Sequence, residues 1–497
     1  EQAGMADEAR RLATEGLRTA TDPAVRVHLR LLLIDLAGQD QSQVAPLLDE
    51  AYTDAGTDPA LGAKVRLYRG IKAVYDGDVA TANTELQWAR HLAELGGDTE
   101  TLVRALAMLG FRPIAVGEQA DAMLAQAAAI SQSLPLSSSV IEVRNLHAAA
   151  LIRRGKVGDA LRELESLRAA VERSGSVIDL SQMLLALTSV YVRAGRFTDA
   201  LNTGRACLRL FTDVEGTPGP GLIIGTMAEM HAGSLAIAAR HSEEAIAACL
   251  AAGDEEWLPA AYSSRGQILM LQGDPVEAIE PMRLAYAIQT RRGMLDPGSS
   301  MWYPDFIEAL VSAGARAEAA RVLAEVTVRA DEFDRIHSRL GLARASGILT
   351  AADGDPRAGS AEIVAALESW PQHPYPLEIA RAWHSLGTIE RRAHRRGAAR
   401  EAFGEAARRY SQLGAQTWFA AVDGELAKLN GPRGMGLSET EQRIVDLVRR
   451  GCTNREIARA TFLSVKAIEA NLTRLYRRFG VRNRDQLSRA VAELSAD

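Results

Sequence analysis

Apolar residues recur through most of the chain at intervals of three and four, as in Leu161, Leu164 and Leu167. That spacing puts them along one face of a helix. Segments that alternate apolar and polar residues, as a strand would, are hard to find. A second pattern is laid over the first: a helical run ends in Gly, four residues follow, and Ala opens the next run. It appears as Gly77 to Ala82, Gly117 to Ala122, Gly155 to Ala160, Gly195 to Ala200, Gly273 to Ala278, Gly314 to Ala319 and Gly397 to Ala402. Two weaker copies fill the gaps, Arg240 to Ala245 without the glycine and Gly354 to Gly359 without the alanine.

Each copy has a simple physical reading. Gly after a helix takes the left-handed cap that side chains resist, and Ala lets two helix backbones approach closely. The unit is therefore an antiparallel helix pair whose apolar stripe can be hidden only by stacking on a neighbour. The expected fold class is all-α: a tetratricopeptide-like α-solenoid, with a period of about 40 residues against the usual ~34. The length agrees, because 497 residues outgrow one ordinary core but not a repetitive one. Loops richer in Gly, Pro and Ser, at Glu215 to Gly221, Asp296 to Ser300 and Trp370 to Pro376, read as hinges or as lips of a groove. Trp302, Tyr303 and Asp305 form the most site-like cluster along the repeats, since aromatic faces beside a carboxylate suit a sugar or peptide; the competing reading makes them packing at a joint.

From Leu437 the pattern changes, and capping signals divide the tail into four helices. Ser438 with Glu441 opens the first, which turns Ile444, Leu447 and Val448 inward and stops at Gly451. Thr453 with Glu456 opens a short second helix, and Ser464 caps a third that runs to Phe479. Asn483 with Gln486 starts a fourth carrying Leu487, Val491 and Leu494. On the third helix Ile468, Leu472, Leu475 and Phe479 share one buried face, so the opposite face must display Lys466, Glu469, Ala470, Thr473, Arg474, Arg477 and Arg478. Small and polar residues in the first turns with arginines toward the end suit a helix lying in a major groove of double-stranded DNA.

The runs LSETEQRIV from Leu437, GCTNREIA from Gly451 and FLSVKAIEANLTRLYRRFGV from Phe462 resemble the LuxR-type DNA-binding domain. Their wording is closest to the large ATP-binding regulators of that family, in which an ATPase precedes a helical-repeat sensor and this reader. The resemblance implies base-edge contacts from Glu469, Ala470 and Thr473, and backbone contacts from Thr453, Asn454, Lys466, Arg474, Arg477 and Arg478. It also implies dimerisation through the last helix, by Leu487, Val491 and Leu494, and an output that leans toward activation, with RNA polymerase as a further partner. Ala467 stands where the family more often has Thr, and Asn483 where it often has Ser.

Charge supports this division. The chain carries a net −6, yet residues 437–497 hold 12 Lys and Arg against 8 Asp and Glu, while the remainder holds 45 against 55. Phosphate binding follows local rather than total charge. The domains expected are a repeat sensor over 1–429, a linker over 430–436 at Asn430 to Gly436, and a reader over 437–497. Three scattered cysteines, Cys207, Cys249 and Cys452, suggest a reducing cytoplasm rather than a disulfide framework. The nearest candidate for a membrane span, Gly221 to Ala239, contains Glu229 and His231 and reads as a buried helix pair.

None of the five lysines is followed by Ser or Thr, so no P-loop is present, and neither HExxH, GxSxG nor a metal-spaced cluster occurs. No catalytic residue, cofactor or metal is expected. The chain opens on Glu1 rather than methionine, which reads as a piece of something longer or a trimmed chain. The reading that results is a signal-responsive, dimeric transcription factor whose solenoid receives a small molecule or a protein. Two alternatives remain: an interaction scaffold with a vestigial tail, and the sensor and output part of a larger ATPase switch.

Overall fold

In the computed structural model of the protein, residues 2–37, 44–111, 118–212, 218–294, 296–299, 301–370, 372–430, 439–479, 481 and 483–493 are described. Among them are 26 α-helices, a single 3-10 turn and no strand. They form two compact units, Glu1–Ala421 and Val422–Asp497, divided within the helix Gln416–Asn430.

The first unit is the tetratricopeptide-like solenoid. Helices such as Pro59–Asp76 and Val79–Gly96, or Pro376–Arg392 and Arg396–Leu413, pack as antiparallel pairs. Every second helix, from Pro23–Ala37 to Pro376–Arg392, also packs on its counterpart in the next pair, and these make an inner row. Gly77, Gly155, Gly195, Gly273 and Gly314 are all left-handed, with φ between 72° and 90°. Ala82, Ala160, Ala278 and Ala319 are each fully buried, and Ala200 nearly so. Gly354 is left-handed as well, and Gly359 takes the alanine's place because a Cβ there would run into the Gly347 carbonyl and sit 3.0 Å from Ala351.

Two copies sit in a different register from the one expected. At the last pair the left-handed residue is His394, with φ 60°, and Gly397 lies inside the following helix. The buried alanine that answers it is Ala399. The packing identifies the register: a Cβ on Gly387 would meet Phe403 at 2.5 Å, just as one on Gly70 would meet Leu86 at 2.6 Å. The expected copy from Arg240 to Ala245 lies wholly within the helix Leu235–Ala252, and the turn falls instead at Gly233 and Ser234. Gly117 lies outside the described residues.

The apolar run from Gly221 is an inner helix, Gly219–Ala232, buried almost all round. Its Glu229 is 2% exposed and is satisfied by Arg205 at 2.6 Å and the Ser234 amide at 2.9 Å. Among the described residues no helix is long and apolar enough to cross a membrane.

The solenoid also winds back on itself. Helix C-termini leave carbonyls without partners, and here side chains from far along the chain supply them. Arg292 donates to the carbonyls of Tyr75 and Val74 at 2.8 and 3.2 Å. The Tyr375 hydroxyl donates to the Ile152 carbonyl. Arg193, at the end of the helix Val177–Arg193, donates to the carbonyls of Gly298 and Ser299 at 3.2 and 3.1 Å. Asp296 is held by Arg335 at 2.7 Å and faces Arg153 at 3.4 Å. The described parts of the loops at 296–300 and 370–376 are thus anchored at a seam rather than being hinges or groove lips. Of the Glu215 to Gly221 loop, residues 215–217 lie outside the described residues, and Gly219 to Gly221 open the helix Gly219–Ala232.

Candidate nucleic-acid interface

The second unit contains four short helices, Glu439–Arg449, Asn454–Thr461, Val465–Phe479 and Arg484–Glu493. Their common core is apolar: Ile444, Val445, Val448, Ile457, Ala458, Ile468, Leu472, Leu475 and Leu487, each no more than 6% exposed. Val445 is fully buried, whereas Leu447 is only partly so.

Local capping sets these helices in place. Thr453 is an N-cap with extended backbone, and its capping box with Glu456 is complete. Glu456 accepts from the Thr453 amide at 2.6 Å and from its hydroxyl at 2.8 Å. These bonds, that from the Thr453 amide first, hold the Glu456 carboxyl below its ordinary pKa. The box satisfies two of the orphan amides of this helix start and leaves those of Asn454 and Arg455. Ser464 accepts from the Ala467 amide at 3.1 Å, and Asn483 from the Gln486 amide at 2.9 Å. Gly451 is left-handed at φ 79°. The expected cap at Ser438 and the linker from 431 onward lie outside the described residues.

The third helix separates its two faces cleanly. Ile468, Leu472 and Leu475 are buried, and Lys466, Glu469, Ala470, Thr473, Arg474 and Arg477 are all exposed. Among the described residues nothing holds Lys466 or Arg477 in a hydrogen bond or ion pair. Arg474 is steadied from within the helix, donating to Asn471 Oδ1 at 2.6 Å. The Thr473 hydroxyl donates to the Glu469 carbonyl at 2.9 Å, so its oxygen is left to accept and its methyl to make apolar contact. The side chains of Arg478 and Phe479 are outside the described residues.

Leu487 does not face a second copy. It is fully buried in the module's own core, because the fourth helix needs an anchor on the first and third; the side chain of Val491 and the whole of Leu494 lie outside the described residues. Two residues passed over in the sequence stand out. Phe462 ends the second helix with φ 55° and is 92% exposed. Arg484 reaches from the start of the fourth helix to the start of the second.

The solenoid cluster at Trp302, Tyr303 and Asp305 is interior, with exposures of 3%, 2% and 3%. Trp302 and Tyr303 pack on Phe306 and Tyr286, and the Tyr303 hydroxyl donates to Gln289 at 2.8 Å. Asp305 accepts from Gln267 at 2.7 Å and pairs with Arg381 and Arg344. Those partners leave no carboxylate edge for a ligand, so the expected groove residues are core. Burial lowers the Arg381 pKa to about 10 and raises that of Glu378 beside it. An open cleft of about 600 Å³ lies elsewhere, between the outer helices Val157–Ser174 and Phe197–Leu210, with Arg168, Glu172, Tyr191, Asn202 and Arg209 on its walls.

A family model described as bacterial regulatory proteins, luxR family, matches residues 435–491. These residues are a LuxR-type helix-turn-helix DNA-binding domain. No curated protein matches the chain. Among solved structures, a Rap protein complexed with competence and sporulation factor is similar at 14% identity and a TM-score of 0.54, over 74% of this chain and 99% of that one. An ATPase of the signal-transduction type with numerous domains and a tetratricopeptide repeat sensor, from Pyrococcus horikoshii, is 12% identical, with a TM-score of 0.41, over 85% of this chain and 74% of that one.

Proposed function

We propose that this protein is a sequence-specific transcriptional regulator, an activator, in which the solenoid receives a ligand or protein signal and controls how the reader is presented to DNA. The observation that carries the reading is the outward face of the helix Val465–Phe479, where Lys466, Glu469, Ala470, Thr473, Arg474 and Arg477 all stand exposed opposite a buried apolar stripe. Laid in a major groove, Glu469 accepts from a cytosine amino group, Thr473 accepts from an amino group or packs on a thymine methyl, and Ala470 admits the base edge. Lys466, Arg474, Arg477 and Arg478 take phosphates.

At the second helix the Thr453 hydroxyl is already donated to Glu456, so the phosphate grip there falls to the Asn454 side chain and the helix's free amides. One such module makes few contacts, and two on half-sites about 34 Å apart act together; the dimer, RNA polymerase as the target of activation, and the division at 429 and 437 belong to this proposal. The buried Trp302 cluster offers nothing to a signal, while the cleft beside Tyr191 is open to one.

Arg477→Ala tests the placement of the helix. Affinity should fall alike for all duplex sequences, and the slope of log affinity against log salt should flatten by about 1. Unchanged affinity and slope in a fluorescence anisotropy titration would remove the third helix from the groove.

A further inference from the structure

The guanidinium of Arg484 joins two parts of the reader that are 30 residues apart. Its Nη1 donates to Asn454 Oδ1 at 3.1 Å, and its Nη2 donates to the Cys452 carbonyl. Both acceptors lie in the turn that starts the helix Asn454–Thr461, and the arginine is itself the first residue of the helix Arg484–Glu493. Asn483, as the cap of that helix, fixes where the arginine begins.

An arginine can only donate, so the atom of Asn454 that faces it must be the oxygen. The Asn454 Nδ2 group, with its two N–H bonds, is thereby turned to the other side. There it joins the amides that the Thr453–Glu456 box leaves free, at the positive end of a helix. We infer that Arg484 is a positioning residue of the DNA grip: it holds the Asn454 amide so that Nδ2 donates to a phosphate oxygen, without touching the phosphate itself. This rests on the DNA-reader assignment above, and it adds a residue that acts through another.

The test is a double-mutant cycle on the full chain, titrated by anisotropy against a mixed-sequence duplex at low salt, where phosphate contacts supply the binding. Asn454→Ala and Arg484→Ala should each weaken binding by about tenfold or more, the worth of one hydrogen bond to a charged group. The double variant should be no weaker than the worse single one. Arg484→Lys, which keeps the charge but not the two-pronged bond, should weaken binding too. Neither Asn454→Ala nor Arg484→Lys should change the salt slope, since no phosphate-neutralising charge is lost.

Full rescue by Arg484→Lys, multiplying effects in the cycle, or a slope reduced by about 1 in Arg484→Ala would each overturn the inference. Should Arg484→Ala lose its helical circular dichroism, the cycle is run with Arg484→Lys in its place and decides in the same way. Arg477→Ala, run in parallel, separates the two claims. If it flattens the slope while the Asn454 and Arg484 effects multiply, only the positioning role fails; if the wild-type chain does not bind duplex, both fail.

Discussion

Arginine does opposite work in the two units. In the solenoid Arg344 and Arg381 are 1% and 5% exposed and lie among Asp305, Glu378 and Glu308. In the reader no charged side chain is buried among the described residues; the core is apolar throughout, and Arg474 and Arg477 face outward. The difference follows from size and purpose. A long solenoid has enough interior to bury ions, provided each finds a partner, and removing one partner strands the other in a medium where it cannot be solvated. A 60-residue module has no room for that, and a charge meant for phosphate must stay in water until DNA arrives. The same residue type is structure in one unit and, under the proposed function, recognition in the other, and the distinction lies in who its neighbours are.

The contrast is broken most directly at Asp305. Asp305→Ala leaves Arg344 and Arg381 buried without their shared carboxylate and should cost the solenoid about 3–5 kcal/mol. All six tryptophans, from Trp88 to Trp418, lie in this unit, so urea unfolding followed by tryptophan fluorescence reads it alone. An unmoved midpoint would mean that the network is not a supporting element.

Acid sharpens the same contrast, because all nine histidines precede residue 437. His231 stacks between Phe197 and Trp418 and accepts from Trp418 Nε1 at 3.1 Å. Burial, with Arg381 nearby, pushes its pKa down to about 3. His337 packs against Tyr375 beside His373; burial, then Arg193 and Arg335, lower it to about 3 despite Asp296. Both are neutral when folded and titrate near 6.5 when unfolded. The unfolded chain therefore binds more protons between those values. The stabilisation is complete above about pH 6.5 and is lost as pH falls toward 3, on the order of 2 kcal/mol for each imidazole between pH 7 and 5. Equal urea midpoints at the two pH values would contradict buried neutral rings.

The smallest effect is expected at the seam. Tyr375→Phe removes the donor to the Ile152 carbonyl and should cost about 1 kcal/mol, with faster amide exchange at the end of the helix Ser138–Arg153. Exchange that stays as slow as in the wild type would show that this bond does not hold the seam.

The reader was largely legible in advance because its rules are local. Caps act over three residues, as at Thr453, Ser464 and Asn483, and a helical face is set by spacing, so Ile468, Leu472 and Leu475 could be placed inside and Lys466, Thr473 and Arg477 outside. The repeat was legible in kind but not always in register. His394 takes the left-handed turn that a glycine usually takes, and Gly397, the residue that looked like the signal, sits in a helix. Only the closeness of Gly387 to Phe403 identifies the true phase. Leu487 shows the limit in the reader itself, since an apolar stripe does not say whether it faces a partner or its own core.

Helix content, the antiparallel pairs, the capped tail and its charged outer face follow from residue types and short spacings, because the interactions behind them span a few residues. Burial of the Trp302, Tyr303 and Asp305 cluster, the capping of Val74, Tyr75 and Ile152 by Arg292 and Tyr375, and the grip of Arg484 on Asn454 do not. The capping and the grip join groups 30 to more than 200 residues apart, and nothing in the local pattern encodes which arginine will meet which carbonyl. That is decided when the solenoid closes and the four reader helices pack, since only then do the buried polar groups have to find the partners that water no longer provides.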